Sequence, residues 1–382
     1  MSKKASKKFP LLLTIVLSVL FLVIGFVGGV GGTYVIDKNT NPIFVSDVYN
    51  SGDLSIHFLE LGNNYTGDSI YIKSGDTDIL VDGGSRTNSS ETIKNYVNNF
   101  ITDNVLEYVI VTHADRDHIA GFAGDNTNKS LFDYYQVQTI IDFPKTGKES
   151  ATLNRYYNKR AEEVASGATH YTALECWNET NGAKKSYELS EGVTLNILYN
   201  YYYENKHSDE NNYSVCFQIE QGENKFLFTG DLEEAGEQKL VEYNKLEKVK
   251  LFKAGHHGSK TSSNEVLLSI IQPEIVVATC VAGSVEYTDN LLNTFPTQDF
   301  INRVSKYTNK VYVPTIGFIE VKETLADGTI KYKDVGFDSL NGNIVITSSN
   351  NNLKVECSNN NTLLKDTAWF KEYRTTPSYW EN

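Results

Sequence analysis

The alternation of apolar and polar positions divides the chain into short strands and amphipathic helices. Residues 54–62 (LSIHFLELG), 69–75 (SIYIKSG) and 77–84 (TDILVDGG) alternate at a period of two, the pattern of half-buried strands. Ile93, Tyr96, Val97 and Phe100 then recur at helical spacing within residues 89–103, with serines at the start to cap the helix. Residues 105–112 (VLEYVIVT) form the next strand, so the chain passes from hairpins into a β-α-β rhythm. Farther on, the pattern predicts strands at 137–143, 193–201, 212–220, 224–231, 248–255, 274–281, 310–322, 342–349 and 352–358. Helices are predicted at 152–167, closed by Gly167, and at 232–243, 263–271 and 297–307. The class is mixed α/β. In the tail over 366–382, Trp369, Phe370, Tyr373 and Trp380 are expected to fasten the carboxyl terminus onto the domain.

The first residues break this rhythm. Phe9 to Ile36 is uncharged and mostly apolar, longer than the roughly 20 residues that span a bilayer as a helix. Lys3, Lys4, Lys7 and Lys8 precede it, which puts the amino terminus in the cytoplasm and residue 37 onward outside. Its length favours an uncleaved single-pass anchor in the cell membrane over a cleaved signal, although GGVGG keeps cleavage open. The expected organisation is a cytoplasmic stub and transmembrane helix over 1–36, a linker over 37–52, a folded domain over 53–340, and a β-hairpin with the aromatic tail over 341–382.

Charge narrows the function. With 35 Lys+Arg against 48 Asp+Glu, the formal net charge is −13, so the surface repels polyanions and broad nucleic-acid binding is disfavoured. Cys176, Cys216, Cys280 and Cys357 lack metal-type or tight disulfide spacing, and Cys216 and Cys280 sit in apolar runs as small buried hydrophobes.

The strand 105–112 leads into THADRDH, which places His113, Asp115, Asp117 and His118 on one turn as four possible cation ligands. The plainer reading is a polar loop at the end of a buried strand. Two later strand ends favour the metal: FLFTGD delivers Asp231, and LFKAGHHGSKTSS delivers His256 and His257, each beside a glycine that lets backbone approach closely. Strand carboxyl ends share one crevice in layered α/β folds. Ser259, Lys260 and Thr261 lie where an anionic substrate could be held, against the alternative of a solvated turn. His57 reads as a packed strand histidine.

Taken in order, Gly67-Asp68, LVDGG with Asp82, THADRDHIAG, NNYSV (211–215), FTGD and GHHGSKTSS resemble the metallo-β-lactamase superfamily, specifically the lactamase-like domain of the ComEC competence-protein branch. The resemblance covers roughly residues 53–320. It implies a four-layer αββα sandwich with metal at one edge, here preceded by the transmembrane helix. It implies that His113 and Asp115 hold a first metal, that Asp117 and His118 hold a second, and that Asp231 bridges them. Either His256 or His257 completes the second site, the other acting from outside it. Asp82 matches a supporting aspartate. No histidine matches the one that commonly completes the first site, where Asn212 or Ser214 is the candidate replacement, and Phe295 precedes Pro296 where the branch tends to carry histidine. One or two divalent ions, zinc or manganese, are expected.

The function so implied is an extracytoplasmic hydrolase of phosphodiester-type substrates, DNA among them, by metal-activated water. Asp117 serves as ligand or general base, and His257 and Lys260 are the other catalytic candidates, Lys260 as a substrate contact. An envelope polymer such as a decorated teichoic acid is the alternative substrate, and a degenerate surface binding module is the non-enzymatic alternative. No obligate protein partner is evident.

Overall fold

Period-two alternation becomes sheet faces, and the faces define the layers. The computed structural model describes residues 53–349 and 352–381, so the expected anchor over 9–36 and linker over 37–52 lie outside the described residues. Among the described residues, no helix is long and apolar enough to cross a membrane.

In chain order the elements are β1 (Leu54–Phe58), β2 (Ile70–Ser74), β3 (Thr77–Val81), α1 (Ser89–Val97), β4 (Val105–Val111), α2 (Arg116–Ala123), β5 (Gln136–Asp142), α3 (Ala151–Ala165), β6 (Thr169–Thr172) and α4 (Ala173–Asn178). Then follow β7 (Ser186–Ser190), β8 (Val193–Ile197), β9 (Phe217–Gln221), β10 (Asn224–Phe228), α5 (Glu234–Tyr243), β11 (Leu251–Lys253), α6 (Glu265–Ile271), β12 (Ile275–Val277), β13 (Val281–Ala282) and α7 (Gln298–Val304). The last are β14 (Val311–Tyr312), β15 (Thr315–Thr324), β16 (Ile330–Ser339), β17 (Ile344–Ser349), β18 (Asn352–Cys357) and α8 (Ala368–Tyr373). One sheet runs β18-β17-β1-β2-β3-β4-β5-β6, a second β14-β12-β11-β10-β9-β8-β7, and a small third β13-β15-β16.

Register shows how the two large sheets meet. Ile56 pairs with Ile72, Ile72 with Ile79, and Phe58 with Ile70, so these side chains share one face of the first sheet. That face meets the second sheet, because Phe58 stacks on Phe228 with ring centroids 6.4 Å apart. Phe228 in turn stacks on Phe217 at 4.6 Å, an aromatic pair that contributes about 0.5–1.5 kcal/mol beyond its burial. The intervening residues point the other way: His57 bonds to Tyr96 of α1, and Leu227, Phe252 and Val276 join a separate apolar cluster with Leu267, Phe300 and Val304 of α6 and α7. Helices therefore cover both outer faces, giving the expected order of helix, sheet, sheet, helix.

Several boundaries depart from the sequence pattern. The first helix stops at Val97, because Asn98 and Asn99 turn the chain and Asn99 Nδ2 donates to the carbonyls of Asn95 and Tyr96. The expected strand over 310–322 splits at Pro314, which has no N–H to give a ladder, so β14 and β15 enter different sheets. The strand over 274–281 likewise divides into β12 and β13. Residues 212–216 precede β9 rather than belonging to it. β17 lies beyond the expected domain end at 340, yet it pairs with both β1 and β18 and is an internal strand of the first sheet. His57 is buried between Tyr96 and Ser55, all four cysteines are free, and Trp369, Phe370 and Trp380 of the tail are buried in the cluster with Phe300 and Val304.

One close approach fixes the later half of α2. Gly121 N–H donates to Gly83 O, and a Cβ on Gly121 would lie 2.1 Å from that oxygen. Gly121→Ala should therefore lower stability by about 1–3 kcal/mol, read as a lower urea midpoint at unchanged slope. An unchanged midpoint would show that α2 can shift off the Gly83 turn.

Candidate metal centre

Three strand ends and one helix start converge on a buried carboxylate. β4 ends at Val111, and α2 begins at Arg116 with Asp115 in the capping position, so Asp117 and His118 occupy the first helical turn instead of the open loop that the sequence suggests. β10 delivers Asp231, and β11 delivers Lys253 and then the Gly255–Gly258 turn. In that turn His256 and His257 have φ of 46° and 57°, a left-handed backbone that L residues adopt at a cost of order 1–3 kcal/mol each.

Asp231 is the hub. Its Oδ2 lies 3.1 Å from His118 Nε2 and 3.1 Å from His257 Nε2, and Lys253 Nζ lies 3.2 Å from its Oδ1. Asp117 Oδ2 stands 3.4 Å from His257 Nε2. Asp117, His118, Asp231 and His257 each offer one donor atom within 4.8 Å of the others. This is a two-nitrogen, two-oxygen set that a divalent cation would fit.

A surrounding layer fixes these groups. His118 Nδ1 donates to Asp82 Oδ2 at 2.8 Å, and Asp82 also accepts the Thr112 N–H and hydroxyl, which turns His118 Nε2 toward Asp231. His257 Nδ1 donates to the Thr279 carbonyl at 2.9 Å and lies 3.1 Å from Asp68 Oδ1. Asp68 accepts the Thr279 hydroxyl and, at 2.5 Å, Lys253 Nζ. Ser214 Oγ accepts the Asp231 N–H at 3.0 Å.

Charge follows this geometry. Burial opposes protonation of His118 and His257, but Asp231 and their other carboxylate partners outweigh it and hold both imidazoles well above the usual histidine range. Burial likewise opposes ionisation of Asp231, but His257, His118 and Lys253 hold it well below the usual carboxylate range. Lys253 keeps its proton against burial because Asp68 and Asp231 face it. His113 differs: burial and the neighbouring His118 depress it to about 4, so it is neutral.

The other candidates fall elsewhere. His113 Nε2 is buried without a hydrogen-bond partner and lies 3.8 Å from Asp115 Oδ2, while Asp115 Oδ1 takes Lys148. Among the described residues, neither His113 nor Asp115 joins a group of three or more donors, so the second expected ligand set is gathered and the first is not. His256 turns away, its Nδ1 3.2 Å from Glu233, which leaves His257 as the histidine in the cluster. Asn212 accepts the Gly236 N–H, and Ser259 bonds to Thr261. Lys260 is exposed and contributes only its carbonyl, to Arg303. Sequence reasoning missed Lys253, Lys148 and Tyr287, whose hydroxyl donates to Asp117 Oδ2 at 3.0 Å. Lys253 alone left a trace, a cation within an apolar strand directly before GHHG.

Residues 208–280 match the metallo-beta-lactamase superfamily. The matched stretch takes in Asp231, His256 and His257. ComE operon protein 3 of Bacillus subtilis is 27% identical over 233 residues, covering 60% of this chain and 24% of that protein. Recombination protein 2 of Haemophilus influenzae is 38% identical over 68 residues, 18% of this chain and 8% of that protein. Competence protein ComA of Neisseria gonorrhoeae is 40% identical over 76 residues, 20% of this chain and 11% of that protein. The matched residues thus span no more than a quarter of these three relatives. Among solved structures, the metallo-beta-lactamase fold protein YhfI of Bacillus subtilis aligns with a TM-score of 0.40 at 10% identity, covering 73% of this chain and 99% of that one. Human tRNase Z, short form, aligns with a TM-score of 0.33 at 13% identity, covering 68% and 91%.

Because His118 and His257 hold protons near neutrality, cation binding should release them. The release disappears as pH rises through those raised pKa values, and affinity weakens as pH falls. Calorimetry with manganese at neutral pH in buffers of different ionisation enthalpy should give buffer-dependent heats; identical heats would exclude the two imidazoles as ligands. Asp82→Asn should lower metal affinity about 10–100-fold in competition with a chelator.

Proposed function

We propose that this protein is a metal-dependent hydrolase of phosphodiester-type substrates, held at the outer face of the cell membrane by residues 9–36. The observation that carries the reading is the convergence of Asp117, His118, Asp231 and His257 from separate strand ends into one buried donor set. A zinc or manganese ion bound by these four residues would lower the pKa of a water ligand to about 7 and supply hydroxide at neutral pH. The protein's own part is orientation. Asp82 sets His118, Thr279 and Asp68 set His257, and Lys253 holds one oxygen of Asp231 so that the other faces the two imidazoles. Asp117, less buried than its partners, stands where substrate arrives.

The names of the competence and recombination relatives support DNA as a candidate substrate. The net charge of −13 instead favours an envelope phosphoester, which needs no extended basic surface.

The purified full-length chain, loaded with manganese or zinc, should hydrolyse bis-p-nitrophenyl phosphate. Chelation or Asp231→Asn should reduce turnover to that of the metal-free protein. Cleavage of single- or double-stranded DNA would assign the nuclease reading, and diester hydrolysis without it the envelope reading. A chain that binds no transition metal would be a surface binding module instead.

A further inference from the structure

The donor set is sealed on the sheet side and open on one flank. The side chains of His118, Asp231 and His257 are at most 3% exposed, whereas Asp117 is 16% and Asp115 20% exposed. Tyr287 lies over Asp117. It is 54% exposed, yet its hydroxyl turns inward to Asp117 Oδ2 at 3.0 Å. The segment that carries it is pinned on both sides. Glu286 pairs with Arg86 at 2.5 Å and accepts the Thr66 N–H, and Val285 N–H donates to Asp334. The Tyr287 ring packs on Phe295 at 5.6 Å, and Phe295 packs on His257 at 5.9 Å. A half-exposed aromatic is thus fixed at the opening with its one polar atom aimed at the centre. Lys148, its side chain 46% exposed, meets the other open residue, Asp115, so that part of the opening carries a cation.

We propose that Tyr287 is a substrate-binding residue whose hydroxyl donates to a non-bridging oxygen of an anionic phosphodiester seated over Asp117. The inference rests on the hydrolase reading and names a contact that the reading lacks. A phenol donates a single proton, so the hydroxyl leaves Asp117 when the substrate oxygen arrives. Asp117 and the substrate both offer anionic oxygens, so the exchange swaps one charge-assisted hydrogen bond for another, and a cation that engaged Asp117 Oδ2 would free the hydroxyl for the substrate. The ring packing keeps the hydroxyl in place meanwhile, so removing the oxygen alone isolates the contact.

The test compares the manganese-loaded full chain with Tyr287→Phe, using metal content, affinity for inorganic phosphate, and kinetics on bis-p-nitrophenyl phosphate. The expected result is equal metal content, phosphate affinity about tenfold weaker, and a correspondingly lower kcat/KM. Equal phosphate affinity in the two proteins would overturn the proposal. So would loss of metal from Tyr287→Phe, because Tyr287 would then only support Asp117. Wild-type protein that holds metal but takes no phosphate would overturn the proposal and leave the metal centre standing. Wild-type protein that holds no metal would overturn the hydrolase reading itself.

Discussion

One buried carboxylate organises this molecule. Asp231 faces two imidazoles through one oxygen and an ammonium through the other, and none of the four groups has appreciable access to water. Stripping water from so many charges costs several kcal/mol per ion, and only close opposite partners recover it. Asp68 and Asp82 supply that balance, one on Lys253 and His257, the other on His118. The centre is thus an alternating array of carboxylates and cations, and deleting any member strands its neighbours.

The fold exists, in this sense, to bring that array together. His118 stands in the first turn of α2, directly after β4 of the first sheet, while Lys253 ends β11 of the second sheet and Asp231 and His257 follow the ends of its strands β10 and β11. Interdigitated aromatic and aliphatic side chains between the sheets set the distance between these contributions. Backbone contacts then set their height: Asp68 N–H donates to Asp117 O, and Gly83 N–H donates to His118 O. The left-handed pair His256 and His257 shows the cost of the arrangement, since the turn is strained so that one imidazole enters the cluster while the other faces Glu233.

Much of this was legible from the chain. Period-two alternation located the strands of both sheets, and acidic and histidine residues after three of them marked the edge where chemistry gathers. The pattern failed where pairing partners decide: β12 and β13, or β14 and β15, look continuous because hydropathy does not report which sheet accepts a strand. β6, β7 and β16 drew no strand expectation, because half-exposed edges blur the alternation. Within the site, the ligand motif pointed to two metal-binding halves, but Asp115 faces Lys148, a residue outside every motif. Tyr287 was hidden for a related reason, and Lys253 showed only as a cation in an apolar strand, since a buried lysine and a surface tyrosine gain meaning only from distant neighbours. Lys260 showed the converse, conspicuous in sequence beside GHHGS yet turned to solvent.

The pairing of β17 with β1 bears on how the protein is made. β1 starts at Leu54, and its partner ends at Ser349, so one flank of β1 stays bare until residues 344–349 have left the ribosome. Contacts so remote along the chain form late, and an unsatisfied strand edge invites association with other nascent chains. Synthesis of β17 thus acts as a closing clasp, and a product truncated before residue 344 would leave an adhesive flank beside β1.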